Sequence, residues 1–151
     1  MSLANLKAKL AGYSHAEVVR AKVPIVIIDD DEQVLRSLRI ILQGKFDVHL
    51  CSTADAALRT VQTVAPHAII LDVKMPEHDG FWLMRQVRAF NEVVPIILNS
   101  AYQDDLSLDD ALASHRPFAY LSKSGGSMRA FIDTVDRAVR VYQESVGPLR
   151  P

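Results

Sequence analysis

Short apolar runs that alternate with segments of helical period constrain the fold of this chain more than any other feature. Five such runs follow Pro24, and they are Ile25–Ile28, Val48–Cys51, Ala68–Leu71, Pro95–Leu98 and Phe118–Leu121. Continuous apolar runs of this length are typical of strands buried on both faces of a parallel sheet. The alternation therefore predicts a doubly wound α/β fold, with a five-stranded parallel sheet and helices on both faces.

The segments between the runs carry apolar stripes at helical spacing. In the first predicted helix the stripe is Val34, Leu35, Leu38, Ile41 and Leu42, and in the third it includes Leu83, Met84 and Val87. The last predicted helix should be the longest, with a stripe of Met128, Phe131, Ile132, Val135, Ala138, Val139 and Tyr142. The fourth, within Asp104 to Ser114, has few apolar residues, so we expect it to be short and weakly held.

A chain of 151 residues with 49% hydrophobic residues suits one globular domain with short appendages. We expect a domain at residues 23–145, an N-terminal extension at 1–22 and a tail at 146–151. The extension places Leu3, Leu6, Leu10 and Tyr13 at spacings of three and four. A short docking helix is the favoured interpretation of this pattern, and a helix that forms a homodimer is the alternative.

Composition excludes several classes of function. The longest apolar stretches fall far short of the roughly 18 residues that a membrane span needs, and the first residues do not resemble a signal peptide. We therefore expect a cytoplasmic location. A net charge of −1 without a basic stripe argues against direct binding of nucleic acid. Cys51 is the only cysteine, so no internal disulfide can form.

Residues that could carry chemistry cluster where the predicted strands end. The first strand is followed by Asp29, Asp30, Asp31 and Glu32, the third by Asp72, the fourth by Ser100 and the fifth by Lys123. Ligands of open α/β sheets bind outside the carboxyl ends of the strands. If the first and third strands are neighbours, about 4.8 Å apart, then Asp29, Asp30 and Asp72 converge within reach of one ion.

This set of residues suits a magnesium ion and a phosphoryl group. Carboxylates packed together repel one another unless a cation joins them, and an all-oxygen cluster favours a hard ion such as Mg²⁺. Asp72 could then act as a nucleophile, with Lys123 as a second cation and Ser100 as a hydrogen-bond donor to the phosphoryl group. Each residue has a simpler interpretation as a helix cap, turn residue or solvated cation. Their joint placement at one edge of the predicted sheet favours the functional interpretation.

Four segments resemble the receiver domains of two-component response regulators. They are Ile25 to Asp31, Ile69 to Gly80, Pro95 to Ala101 and Tyr120 to Lys123. The resemblance covers roughly residues 23–143 and is most distinctive from Asp72 to Gly80. It implies a flavodoxin-like sheet in the strand order 2-1-3-4-5.

The same resemblance implies a role for each site residue. Asp72 would be the phosphoacceptor. Magnesium would be bound by Asp72, by Asp30 directly, by Asp29 through water and by the backbone carbonyl of Lys74. The phosphoryl group would be held by Ser100 and Lys123, beside the small residue Ala101. Tyr120 would be an aromatic switch whose rotamer follows Ser100.

Receivers of this kind take a phosphoryl group from a sensor histidine kinase or a phosphotransfer protein and hydrolyse it slowly. The resemblance therefore implies a signalling domain and not a turnover enzyme. Its output surface would be the face formed by the fourth predicted helix, the fifth strand and the last helix. An output domain or a partner protein would bind there.

Two features depart from the usual receiver pattern. Ser124 follows Lys123, where receivers usually have a proline after a cis peptide bond. Because a cis bond before serine costs about 2.5–4 kcal/mol, we predict a trans Lys123–Ser124 peptide. Lys74 places a flexible cation two residues beyond Asp72, where it could alter the lifetime of an aspartyl phosphate or simply be solvated.

Two other functions remain open from the residues alone. The first is a magnesium-dependent phosphohydrolase that works through an aspartyl phosphate, because Asp29 and Asp31 have the spacing of the nucleophile and acid of the haloacid dehalogenase type. The chain has no cap domain of the kind those enzymes carry. The second is a degenerate receiver that only binds a partner.

Overall fold

A five-stranded parallel sheet forms the centre of the protein. The computed structural model describes residues 21–101 and 116–147, together with Leu3. The strands are β1 (Val23–Ile28), β2 (Phe46–Cys51), β3 (Ala68–Leu71), β4 (Ile96–Ser100) and β5 (Ala119–Ser122). They lie in the order β2-β1-β3-β4-β5, and every neighbouring pair is parallel. The predicted sheet and its order are confirmed; β3 has the expected bounds, and the bounds of the other strands differ by one or two residues from those expected.

Helices cover both faces of the sheet, as the apolar stripes predicted. The described helices are α1 (Glu32–Leu42), α2 (Ala54–Val64), α3 (Gly80–Phe90) and α4 (Met128–Val146). One core cluster joins β1, β3 and β4 to α2 and α3, and a second joins the opposite face of the sheet to α1 and α4. Both clusters are almost fully buried. The sheet is therefore covered on both sides, which explains why β1 and β3 are continuously apolar.

All four described helices begin at a polar N-cap residue. Asp31, Thr53, Asp79 and Ser127 each accept a hydrogen bond from a backbone N–H of the first turn. These caps satisfy donors that have no partner within the helix. Because β1 leads directly into α1, the start of that helix lies at the carboxyl edge of the sheet.

Several expectations concern residues near the limits of the described chain. The predicted helix within Asp104 to Ser114 and the extension at 1–22, apart from Leu3 and residues 21–22, lie outside the described residues. Met128, expected on the buried stripe, is 51% exposed, because the first turn of α4 lines an open cavity beside α1. No helix in the described part of the chain is long and apolar enough to span a bilayer.

Candidate functional site

The four successive acids after β1 take different positions. Asp29 extends the strand by one residue, because its N–H donates to the carbonyl of Cys51 at 3.1 Å. The residue is 2% exposed, and its carboxylate accepts the N–H of Asp31 at 2.9 Å. Asp30 is exposed, and Asp31 caps α1 by accepting the N–H of Gln33. Only the first two acids are therefore available to a site at the edge of the sheet.

Asp72 lies beside Asp29 because β3 is the neighbour of β1. Its N–H donates to the carbonyl of Ile28 at 2.9 Å, and its side chain is buried, with the residue 6% exposed. The chain then returns so closely that Gly80 donates its N–H to Val73 at 2.7 Å. A Cβ at Gly80 would stand 2.4 Å from the carbonyl oxygen of Asp72. A side chain at position 80 would therefore force the backbone at Asp72 or at the start of α3 to move.

Lys123 connects the fifth strand to both buried carboxylates. Its Nζ lies 2.6 Å from Oδ2 of Asp29 and 3.4 Å from Oδ1 of Asp72. The lysine is placed there by a hydrogen bond from its own N–H to the carbonyl of Ser100 at 2.9 Å, which continues the pairing of β5 with β4. The backbone has no cis peptide bond among the described residues, so the Lys123–Ser124 peptide is trans, as predicted.

The carboxyl groups of Asp29, Asp30 and Asp72 fit the needs of a small hard cation. One oxygen of each lies within 4.8 Å of those of the other two. Ligands of an octahedral magnesium ion stand about 3.0 Å apart when adjacent and about 4.2 Å apart when opposite, given metal–oxygen distances near 2.1 Å, so the three oxygens would have to move inward around an ion. No histidine or cysteine belongs to this group, and it is the only such cluster found among the described residues. The donor set is therefore suited to Mg²⁺.

The electrostatics of the site also favour a cation. Burial and the charge of Asp29 raise the pKa of Asp72 to about 6 from its ordinary 3.8, although Lys123 acts in the opposite direction. Burial lowers the pKa of Lys123, but its contacts with Asp29 and Asp72 outweigh burial and raise that pKa. The ammonium thus stays charged, while one lysine faces three carboxylates. The excess negative charge is what a divalent ion would offset.

Most of the other residues assigned from the sequence lie at the same edge. Ser100 is the last residue of β4 and is 1% exposed, whereas Ala101 is exposed directly after it. Lys74 is exposed on the loop after Asp72. Tyr120 is partly buried in β5 and packs against the core cluster that contains α2 and α3. The fold thus brings the assigned positions to the carboxyl ends of β1, β3, β4 and β5, except Tyr120, which lies within β5 two residues before its end.

Sequence reasoning missed three features that shape this site. It treated Gly80 only as part of a motif, although its close approach to the backbone of Asp72 is essential to the loop. It also left Ser122 and the buried Asn99 unassigned, although both line the cavity between α1 and the start of α4. A serine beside a lysine and a glycine pair was the available signal for Ser122, because serine hydroxyls often stabilise turns.

The chain is similar to a family profile and to several known proteins. The profile of the family described as "Response regulator receiver domain" matches residues 25–135. Response regulator MprA of Mycolicibacterium vanbaalenii is 34% identical over 119 residues, which are 73% of this chain and 50% of that protein. The DNA-binding transcriptional regulator NtrC of Klebsiella pneumoniae is 30% identical over 125 residues, which are 81% of this chain and 26% of that protein. The chain thus spans half or less of these two relatives.

Solved structures share the same fold. A CheY-like response regulator receiver domain protein from Methanospirillum hungatei superposes with a TM-score of 0.76. The match covers 83% of this chain and 99% of that one at 20% sequence identity. At that identity the likeness concerns the fold alone.

Proposed function

The chain belongs to the response regulator receiver domain family, and from this premise we propose that it accepts a phosphoryl group on Asp72 in a two-component phosphorelay. The donor would be a phosphohistidine on a sensor histidine kinase or on a phosphotransfer protein. Asp72 acts as the nucleophile, and the aspartyl phosphate acts as the signal. The chain is accordingly a signalling domain that is phosphorylated and then slowly dephosphorylated.

One observation carries this proposal. The ammonium of Lys123 is within 3.4 Å of Asp72 and within 2.6 Å of Asp29, next to a cluster of three carboxylates. A nucleophilic carboxylate, a lysine and an acidic metal site are the components that phosphoryl transfer to an aspartate requires. A purely structural ion pair would need neither Asp30 nor an edge that is open at Ala101.

The transfer step follows from the charges of these residues. Because the pKa of Asp72 is about 6, its carboxylate is mostly ionised at neutral pH. An oxygen of this carboxylate attacks phosphorus, and the bond between phosphorus and the donor nitrogen breaks. The donor ring carries a proton on its other nitrogen, so it leaves with the bonding electron pair as neutral imidazole. Lys123 then turns from the carboxylates to an oxygen of the transferred group, and the Ser100 hydroxyl donates a hydrogen bond to another.

Magnesium completes the charge balance in this proposal. When bound by Asp29, Asp30 and Asp72, with the Lys74 carbonyl as a further ligand, it would offset the charge of the incoming phosphoryl group. The exposed Asp30 sits at the entrance of the cluster.

Phosphorylation would be read out through Ser100 and Tyr120. Ser100 lies at the phosphoryl site, and Tyr120 belongs to β5, the strand paired with β4. A hydroxyl drawn toward a phosphoryl group would leave room for the tyrosine to turn inward. We propose that the surface around β5 and α4 then binds an output domain or a partner protein. A homodimer through this surface or the N-terminal extension belongs to the same proposal.

The phosphohydrolase alternative is disfavoured because the residue it needs as an acid has another role. That mechanism needs Asp31 beside the substrate, but the Asp31 carboxylate accepts the Gln33 N–H at 2.9 Å and caps α1. The degenerate receiver is disfavoured because Asp72, Lys123 and the acidic cluster are all assembled.

Labelling with acetyl phosphate tests the proposed function. Intact-mass measurement should find one phosphoryl group per chain in the presence of magnesium and none after chelation, because the acidic site repels a dianion without the metal. The label should decay slowly, and the chain should not release phosphate repeatedly from excess donor. Labelling that survives chelation, or steady turnover of the donor, would contradict the proposal.

Replacing Asp30 by alanine should weaken magnesium binding without destabilising the metal-free domain. The variant loses a magnesium ligand and one of the repelling carboxylates, so magnesium affinity should fall while the metal-free domain stays equally stable or gains stability. Thermal melts with and without magnesium measure both effects, and Asp133→Ala, which removes an exposed acid on α4, is the matched control. A full magnesium-induced shift in the Asp30 variant would argue against its role as a ligand.

A further inference from the structure

The loop that presents Lys123 has few anchors. After β5 ends at Ser122, the residues from Lys123 to Ser127 are exposed, and Gly126 adopts a φ of +90°. Neither glycine of the Gly125–Gly126 pair has a side chain that could pack. Lys123 itself carries a long side chain with considerable rotamer freedom. The two carboxylates attract the ammonium, but the loop must hold the backbone of Lys123 within reach of them.

Ser122 holds the turn that contains Lys123. Its Oγ accepts the N–H of Ser124 at 3.3 Å and lies 3.0 Å from the Ser124 hydroxyl. Its carbonyl accepts the N–H of Gly125 at 3.3 Å. The first contact is a serine turn and the second closes a four-residue turn around Lys123 and Ser124. One residue thus supplies two acceptors that fix the backbone on either side of the lysine.

The strand register adds the second half of the constraint. Ser122 pairs with Ser100 across β5 and β4, and the next N–H, that of Lys123, donates to Ser100. The backbone before the lysine is thereby tied to the phosphoryl-site serine, and the backbone after it is tied to the Ser122 side chain. These two contacts fix the backbone at Lys123 and thereby limit the directions that its side chain can take.

From these contacts we propose that Ser122 is a positioning residue, whose hydroxyl holds a trans, proline-free loop in the shape that directs Lys123 to the phosphoacceptor site. The inference rests on the proposed function of Asp72 and Lys123. It concerns a residue outside the carboxylate cluster, so the metal ligands are unchanged when Ser122 is replaced.

Phosphorylation kinetics test the inference. At saturating magnesium, Ser122→Ala should slow labelling by acetyl phosphate about five- to ten-fold, because a displaced catalytic group costs rate steeply. Ser122→Thr keeps the hydroxyl and should stay within about two-fold of the unaltered chain. Ser145→Ala, which removes a hydroxyl bonded within α4, is the matched control.

A double-mutant cycle distinguishes positioning from general stability. If Ser122 acts through the lysine, then adding Ser122→Ala to Lys123→Ala should change the labelling rate by less than about two-fold. An equal loss in both backgrounds would overturn the inference. Ser124→Ala keeps the N–H that donates to Ser122 but loses the hydroxyl contact, so it is a second, milder variant. Its reduction of the labelling rate should also disappear in the Lys123→Ala background.

A metal-free measurement completes the test. The Lys123 side chain is 23% exposed and held by two carboxylates, so its amine should react slowly with acetic anhydride relative to Lys22. In Ser122→Ala that ratio should rise, as measured by peptide mass spectrometry. If the unaltered chain is never phosphorylated, the proposed function fails while this ratio still reports on positioning. If labelling occurs but Ser122→Ala matches it in both assays, the positioning role alone is wrong.

Discussion

Replacing Asp72 by asparagine is expected to abolish phosphoryl labelling and, at the same time, to stabilise the metal-free domain. The loss of labelling follows because an amide cannot act as the nucleophile. The gain in stability follows because the Asp72 carboxylate is buried beside Asp29, and its pKa is raised to about 6 in the folded protein. Asparagine has nearly the same shape without the charge.

The sign of the stability effect determines its pH dependence. The folded pKa lies above the ordinary 3.8, so the folded protein binds the proton more tightly than the unfolded chain does. Ionisation of Asp72 therefore costs stability above about pH 6, and this cost declines as the pH falls from 6 toward 3.8. We expect Asp72→Asn to raise the free energy of unfolding by about 1–3 kcal/mol at neutral pH, since each pKa unit corresponds to about 1.4 kcal/mol.

Denaturant unfolding at several pH values, without magnesium, measures this gain. Asp133→Asn on the exposed face of α4 is the matched control and should change stability by less than about 0.5 kcal/mol. Magnesium should reduce the difference in unfolding free energy between Asp72→Asn and the unaltered chain, because it stabilises the unaltered chain through a ligand that the variant lacks. Labelling of the asparagine variant at the usual rate would rule out Asp72 as the phosphoacceptor. A variant less stable than the unaltered chain at neutral pH would contradict the electrostatic account.

Replacing Gly80 by alanine is expected to destabilise the domain and slow its phosphorylation together. The added Cβ would lie 2.4 Å from the Asp72 carbonyl oxygen and 2.9 Å from the Val73 Cα. Both are backbone atoms, so the clash cannot be relieved by rotating a side chain. Overpacking of this kind costs about 1–3 kcal/mol, and the movement that relieves it must displace the loop carrying Asp72.

Gly44 offers a control for this change. A Cβ at Gly44 has no heavy atom within 4 Å, and its φ is not in the left-handed region. Gly44→Ala should therefore leave stability unchanged or raise it by about 0.4–1 kcal/mol, through the reduced entropy of the unfolded chain. Thermal melts compare the two variants, and acetyl phosphate labelling of folded protein measures the effect on Asp72. Equal stability of both variants would contradict the close approach at Gly80.

Local pattern was sufficient to predict most of the fold. A strand buried on both faces is mostly apolar, so β1, β3 and the first part of β4 are recognisable from their apolar runs. The stripes of α1 and α3 follow from helical period. The strand order came from the resemblance to receivers. Met128 was assigned wrongly to the core, because period alone does not reveal that the first turn of a helix lines an open cavity.

The sequence by itself determined which residues stand at the carboxyl edge of the sheet, because a residue that follows a parallel strand must emerge there. Only the tertiary structure decided their separate positions. It made Asp29 buried, Asp30 exposed and Asp31 a helix cap, and it brought Lys123 to 2.6 Å from Asp29. These differences depend on the pairing of β1 with β3 and on the turn after β5, which bring together atoms far apart in the chain, and no local pattern of residue types encodes such distances.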